Sequence, residues 1–190
     1  FRLDLLSEID IVEEVARIFG YDNIPKTIPA GREWGARTNG QEIEYFTMNV
    51  LNNLGLNEIT TYSFISPKAL DLIKLPEESL TRRVVELKNP LGEEYSIMRT
   101  TLIPNMLEVL SKNINRGVTE VSAFEIGNTF FPRELPIENL PIEKKTMVMG
   151  MVGETIDFFS IKGTVVSMLD KLGLQDYKFI AEKNNKTYHP

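Results

Sequence analysis
Apolar positions recur along this chain with two periods, and the switches between them mark out its elements. Leu5, Ile9, Val12, Ala16 and Phe19 fall at near-heptad spacing, and Ile11, Val15 and Ile18 widen the apolar arc to about half the circumference. That spacing predicts a helix over 7–19. Ser7 is a good N-cap, with Asp10 three residues on in a capping-box-like pair and Leu6 and Ile11 at the staple positions. Gly20 suits the residue just past the helix, and Pro25 forbids resumption nearby. A polar, turn-rich stretch over 20–40, carrying Pro25, Pro29, Gly31 and Gly35, reads as a linker or domain boundary.

Ile43, Phe46, Val50 and Leu54 share one face of a second helix over 41–54, closed by Gly55. The pattern then shortens. Residues 58–65 are rich in β-branched and aromatic side chains and predict a strand, and Ser66-Pro67 starts a short helix to about Ile73. A short strand over 84–87, a turn at Asn89-Pro90-Leu91-Gly92 and an extended piece over 96–101 lead to a helix opened by Pro104 and ending near Gly117. Strands over 121–131 and 146–152, a helix over 159–172 and a short strand over 177–180 complete the reading. Hairpin-like and irregular connections replace a strict βαβ rhythm. The expected fold class is therefore α+β, a mainly antiparallel sheet with flanking helices.

The 190 residues are 42% apolar, enough for one substantial core or a core plus a fragment. The chain opens on Phe1 and stops at His189-Pro190, which we read as a piece of a longer protein. Without cysteine there are no disulfides or thiolate metal sites, a composition that fits a cytoplasmic setting. No apolar run reaches the ~20 residues a membrane-spanning helix needs, so no membrane partner is expected. Net charge is −6, from 21 Lys+Arg against 27 Asp+Glu, a poor sign for general nucleic-acid binding.

The acids of the opening segment are the main candidate chemistry. Asp10, Glu13, Glu14 and Arg17 lie at i, i+3, i+4, i+7 and stack on one helix face, with Asp4 one short stretch upstream. Two readings stay open. One is a solvated face with dipole-favoured acids and a Glu13–Arg17 pair of roughly 0.3–0.5 kcal/mol. The other is a divalent site, suggested by the like-charge crowding of Asp10 and Glu14. Oxygen ligands without His or Cys would suit Mg²⁺ or Ca²⁺ rather than zinc.

Arg2, Asp4, Asp10, Glu13 and Glu14 run on through Val15-Ala16-Arg17 to Gly20-Tyr21-Asp22-Asn23-Ile24-Pro25. Thr61-Tyr62-Ser63-Phe64, Asn89-Pro90-Leu91, Met98-Arg99-Thr100, Phe124-Glu125-Ile126-Gly127 and 157–163 (DFFSIKG) follow in order. Together they closely resemble the family of bacterial phenylalanine–tRNA ligase β subunits. The resemblance implies that residues 1–25 end a small helical domain, and that 26–190 form a truncated, non-catalytic core like that of class II aminoacyl-tRNA synthetases. It implies Mg²⁺ held at the boundary with an α subunit, since an Asp followed by acids six, nine and ten residues later matches Asp4, Asp10, Glu13 and Glu14. It also implies an α2β2 heterotetramer in which the α subunit attaches phenylalanine to tRNA(Phe) with ATP.

By the same resemblance, Phe124-Glu125-Ile126-Gly127 matches the second class II signature, where an arginine four residues after the glycine grips the ATP α-phosphate. Phe131 stands there instead, and an aromatic ring has no guanidinium fork. Arg133 is displaced in register by Pro132. No catalytic residue is therefore expected in this chain. The rival expectations are a chain that activates an amino acid with ATP by itself, or a freestanding tRNA-binding module. His189, the single histidine, has no partner for nucleophilic chemistry. Trp34 is expected to pack on its own core, with a contact or interface role as the alternative, and Arg99 to form a structural ion pair rather than face a vestigial pocket. The 41–54 helix, which resembles the first class II signature, is expected to expose an apolar stripe.

Overall fold
The computed structural model describes residues 2–31 and 34–188, and divides the chain into two compact units, 1–37 and 38–190. In the first, helix α1 (Glu8–Phe19) is the main element, followed by a 3-10 turn over Tyr21–Asn23. Asp10 caps the helix start: its Oδ2 accepts the Leu6 and Ser7 amides at 2.9 and 2.8 Å and the Ser7 hydroxyl at 2.9 Å. Gly20 follows at φ 95°, a backbone conformation that only glycine adopts without strain. Leu6 and Ile11, the staple pair, are both exposed, and no residue of α1 is buried.

The second unit begins at Thr38. Its hydroxyl accepts the Gln41 amide while the Gln41 side chain accepts the Thr38 amide, so helix α2 (Asn39–Asn53) starts two residues earlier than its apolar pattern indicates. Strand β1 (Asn57–Glu58) pairs parallel with β4 (Val121–Phe131), and β4 pairs antiparallel with β5 (Ile142–Val152) along all eleven residues. The sheet order is β1-β4-β5. The chain also forms a second, two-stranded antiparallel sheet of β2 (Phe64–Ile65) and β3 (Ile97–Met98), packed with helix α3 (Lys68–Leu72) through Ile65, Leu70 and Ile97. Helices α4 (Ile103–Asn115) and α5 (Phe158–Lys171) complete the mixed α+β fold, in which antiparallel pairing dominates.

Alternation along the two long strands sorts the core into layers. Phe124, Ile126, Met147 and Met149 meet Val50 and Leu51 of α2 and Met168 of α5 on one face. Ala123, Val148 and Val152 meet Met106 and Leu110 of α4 on the other. Phe124 and Leu51 are fully buried, each worth about 1.5–3 kcal/mol of transfer free energy. Gly150 permits the close seat of α4, because a Cβ there would lie 2.7 Å from Met106 Cγ and 2.8 Å from Leu110 Cδ1.

Three expected strands change. Over 84–87 only Glu86 pairs, as an isolated antiparallel bridge to Ile97. The 58–65 stretch is not one strand but two short ones in different sheets, because Thr61 and Tyr62 between them turn their polar groups to a buried arginine described below. No strand forms over 177–180. There the Tyr177 hydroxyl donates to the Asp170 carboxylate at 2.9 Å, and its ring meets Phe179 edge-on.

Candidate functional site
The opening acids are drawn to arginines and a helix cap rather than to one another. Arg2 Nη2 donates to Asp4 Oδ2 at 2.7 Å and to Glu14 Oε1 at 2.8 Å, so one guanidinium bridges two carboxylates ten positions apart in sequence. The Arg2 hydrogen bonds are the main reason the Asp4 carboxyl falls from the ordinary 3.8 to about 2. Glu14 is lowered by Arg2 first and by Arg17 second, Arg17 Nη2 standing 2.7 Å from Glu14 Oε2. Arg17 thus pairs with Glu14, three residues back, and not with Glu13. Asp10 is lowered by the Ser7 hydroxyl and the Ser7 and Leu6 amides, a local cap and no cage.

Glu13 is exposed and bonds to nothing among the described residues. Of the four expected ligands, then, Asp4 and Glu14 share a cation site filled by Arg2, Asp10 is engaged elsewhere and Glu13 faces solvent. Among the described residues no three acids or histidines are gathered to hold a metal ion. As arranged here, the four are spread over separate partners rather than turned toward one point. Arg2 is the functional neighbour that sequence reading missed; its signal was its place two residues before Asp4, weighed only as part of a motif.

The other charged constellation is buried. Arg99 and Glu125 are 3% and 2% exposed, with Arg99 Nη1 2.7 Å from Glu125 Oε1. Thr61 Oγ1 accepts from Arg99 Nη1 at 2.9 Å and donates to Glu125 Oε2 at 2.7 Å, and Arg99 Nε donates to the Asn128 carbonyl at 3.0 Å. These bonds offset the desolvation of both charges, which a bare pair would not. Gly127 makes the room: a Cβ there would strike Arg99 Nη2. Arg99 therefore forms the expected structural ion pair, with Glu125 as its partner across β4. Arg99 Nη1 and Nε are both taken up by this network, which ties Thr61, Glu125 and Asn128 together.

Phe131 ends β4 half-buried, opposite Ile142 of β5. Arg133 lies beyond buried Pro132, exposed, with Nε donating to the Leu140 carbonyl at 3.2 Å. Neither places a guanidinium on the sheet at the end of β4. Trp34 is 94% exposed and does not pack on a core, contrary to expectation, because the stretch that carries it forms no regular structure to hold the ring. On α2, Ile43 and Phe46 are exposed while Val50 is buried, so the apolar face is split between core and solvent. His189 lies outside the described residues.

The phenylalanyl tRNA synthetase β chain CLM domain family matches residues 24–190. The phenylalanine–tRNA ligase β subunit of Clostridium tetani is 38% identical over 191 aligned residues, covering 100% of this chain and 24% of that protein. The same subunit of Syntrophus aciditrophicus is 38% identical, again over the whole chain and 25% of its own length. The chain thus spans about a quarter of the curated relatives it matches. Two structures of pyrrolysyl-tRNA synthetase from Desulfitobacterium hafniense share the fold over 78% of the chain and about half of theirs, with TM-scores of 0.59 and 0.63 at 20% and 18% identity. The match from Ile24 to the last residue, with the 38% identity to these subunits over the whole chain, makes this chain a member of the phenylalanyl tRNA synthetase β chain CLM domain family.

Proposed function
We propose that this chain is a non-catalytic structural and assembly part of a phenylalanine–tRNA ligase β subunit, supporting an α subunit that joins phenylalanine to tRNA(Phe) with ATP in the cytoplasm. Residues up to about 25 would end a small helical domain and the rest would form the truncated core. The observation that carries the reading is Phe131, an uncharged ring packed where adenylate chemistry needs a fixed cation. The exposed apolar part of α2, with Ile43 60% and Phe46 47% exposed, supports assembly as the role. An α2β2 heterotetramer and contact with tRNA belong to the same proposal.

Its test is phenylalanine-dependent exchange of pyrophosphate into ATP by the purified chain. Exchange no greater than in a heat-killed control is expected, and exchange above it overturns the reading. Among the described residues no helix is long and apolar enough to cross a membrane.

Mg²⁺ at Asp4, Asp10, Glu13 and Glu14, completed by the α subunit, is the second element of the proposal. Its support is the bridging position of Arg2, which marks where Asp4 and Glu14 accept positive charge. A metal there needs Arg2 withdrawn and Asp10 released from its cap. Titrating Mg²⁺ into the pair with α, for the natural chain and for Asp10→Asn with Glu14→Gln, tests it: equal affinity in both removes the metal.

A further inference from the structure
An open cavity of about 270 Å³ lies between α2, the β4–β5 sheet and α5, and it shares Ile43 with the exposed α2 face of the assembly reading. Its walls are apolar: Ile43, Ile126, Met147, Met168 and Leu172. The Thr47 hydroxyl in the wall already donates to the Ile43 carbonyl at 2.7 Å, so it asks nothing of a ligand. The Thr146 hydroxyl, also in the wall, is held by the Thr129 hydroxyl at 3.0 Å and the Lys144 carbonyl at 3.2 Å. That leaves the polar chemistry to one pair, Lys145 of β5 and Glu44 of α2, with Nζ 3.2 Å from Oε1. Both are partly exposed, at 52% and 30%, and an ion pair that wet is opened at little cost.

We propose that this cavity binds a small apolar α-amino acid, side chain inward, with its carboxylate on Lys145 and its ammonium on Glu44. Volume and charge lead there independently. At roughly 30 Å³ per water-sized group, the cavity has room for about nine non-hydrogen atoms, the size of leucine or methionine. A hydrophobe without charge leaves the ion pair closed across the mouth and gains nothing from it. A ligand with one charge opens the pair and leaves one partner alone. A zwitterion gives both Lys145 and Glu44 a new opposite charge, and an α-amino acid carries its two charges about as close together as this pair. Apolar walls with a few convergent polar groups are the usual make-up of a small-molecule site.

The test is a titration of leucine and methionine into the 190-residue chain, followed by NMR of the Met147 and Met168 methyl groups. Saturable shifts of both methyls are expected. Isocaproate, which is leucine without its amine, and isoamylamine, which is leucine without its carboxylate, should each bind roughly ten-fold more weakly. Lys145→Gln should weaken leucine about as much. Gly40→Trp, at the rim where an added Cβ meets nothing within 4 Å, should block entry while the thermal transition stays unchanged. Unmoved Met147 and Met168 methyls overturn the proposal. So do isocaproate or isoamylamine binding as tightly as leucine, or leucine affinity in Lys145→Gln or Gly40→Trp equal to that of the natural chain.

Discussion
Arg99 and Glu125 are 26 positions apart, and each is held by groups the other also uses. Removing one strands the other charge in a site with almost no water. Glu125→Ala should therefore cost about 3–5 kcal/mol in urea denaturation, while replacing both by apolar residues of similar volume should cost far less. Gly127→Ala should cost about 1–3 kcal/mol, since the guanidinium over it has no free direction in which to move. Arg99 was legible as an ion-pairing residue because a charge beside Ile97-Met98 needs a partner. Which carboxylate would serve was not legible, because only the pairing of distant strands brings Glu125 and Thr61 to it.

The exposed carboxyls of the opening segment are a simpler case with a definite sign. Asp4 is lowered in the folded chain, so its contribution is present above 3.8 and is lost as pH falls toward about 2. Carboxyl ¹³C titration should find Asp4 ionising well below its ordinary value, and Arg2→Gln should return it toward 3.8.

Among the elements, helices were read more accurately than short strands, and the caps explain why. Asp157 accepts the Ser160 amide at 2.8 Å at the start of α5, and Thr38 with Gln41 does the equivalent for α2. Such signals lie within a few residues of one another and so stand in the linear text, but neither of these two was read there, and α2 accordingly starts two residues before the expected 41. Thr38→Ala and Asp157→Ala should each lower stability by about 1 kcal/mol with a small loss of far-UV helicity, whereas Thr38→Ser should not. The long strands were also legible: 121–131 coincides with β4, and β5 extends the expected 146–152 back to Ile142 through the exposed Glu143, Lys144 and Lys145. Two-residue strands carry too little periodicity to find. The 58–65 stretch has strand-like residues throughout, yet the demand of a buried guanidinium for Thr61 and Tyr62 outweighs that propensity.

At the scale of the whole molecule, the chain divides into units 1–37 and 38–190. Lys26 and Arg37 are exposed, and the described residues 26–31 and 34–37 between the two units' helices form no regular structure. Limited trypsin digestion should cut there first and leave a piece beginning near Thr38 with its own cooperative unfolding transition, as expected of a unit that holds all three buried clusters. Loss of that transition with the cut would show the core to depend on the opening segment.

Period, capping residues and turn glycines, all local, determined by themselves that this chain is α+β and, to within a residue or two, where its main helices start and stop. The resemblance to the second class II signature, also read from the sequence, implied that Phe131 stands where a phosphate-gripping arginine would be needed. What only the tertiary structure decided was pairing: Arg2 between Asp4 and Glu14, Arg99 onto Glu125 above Gly127, and Lys145 over to Glu44 at a cavity mouth. The physical reason is range. A backbone dihedral or a cap responds to neighbours a turn away, but a charge takes whichever partner the packed core leaves within 3 Å or so, and that choice exists only after the chain has folded.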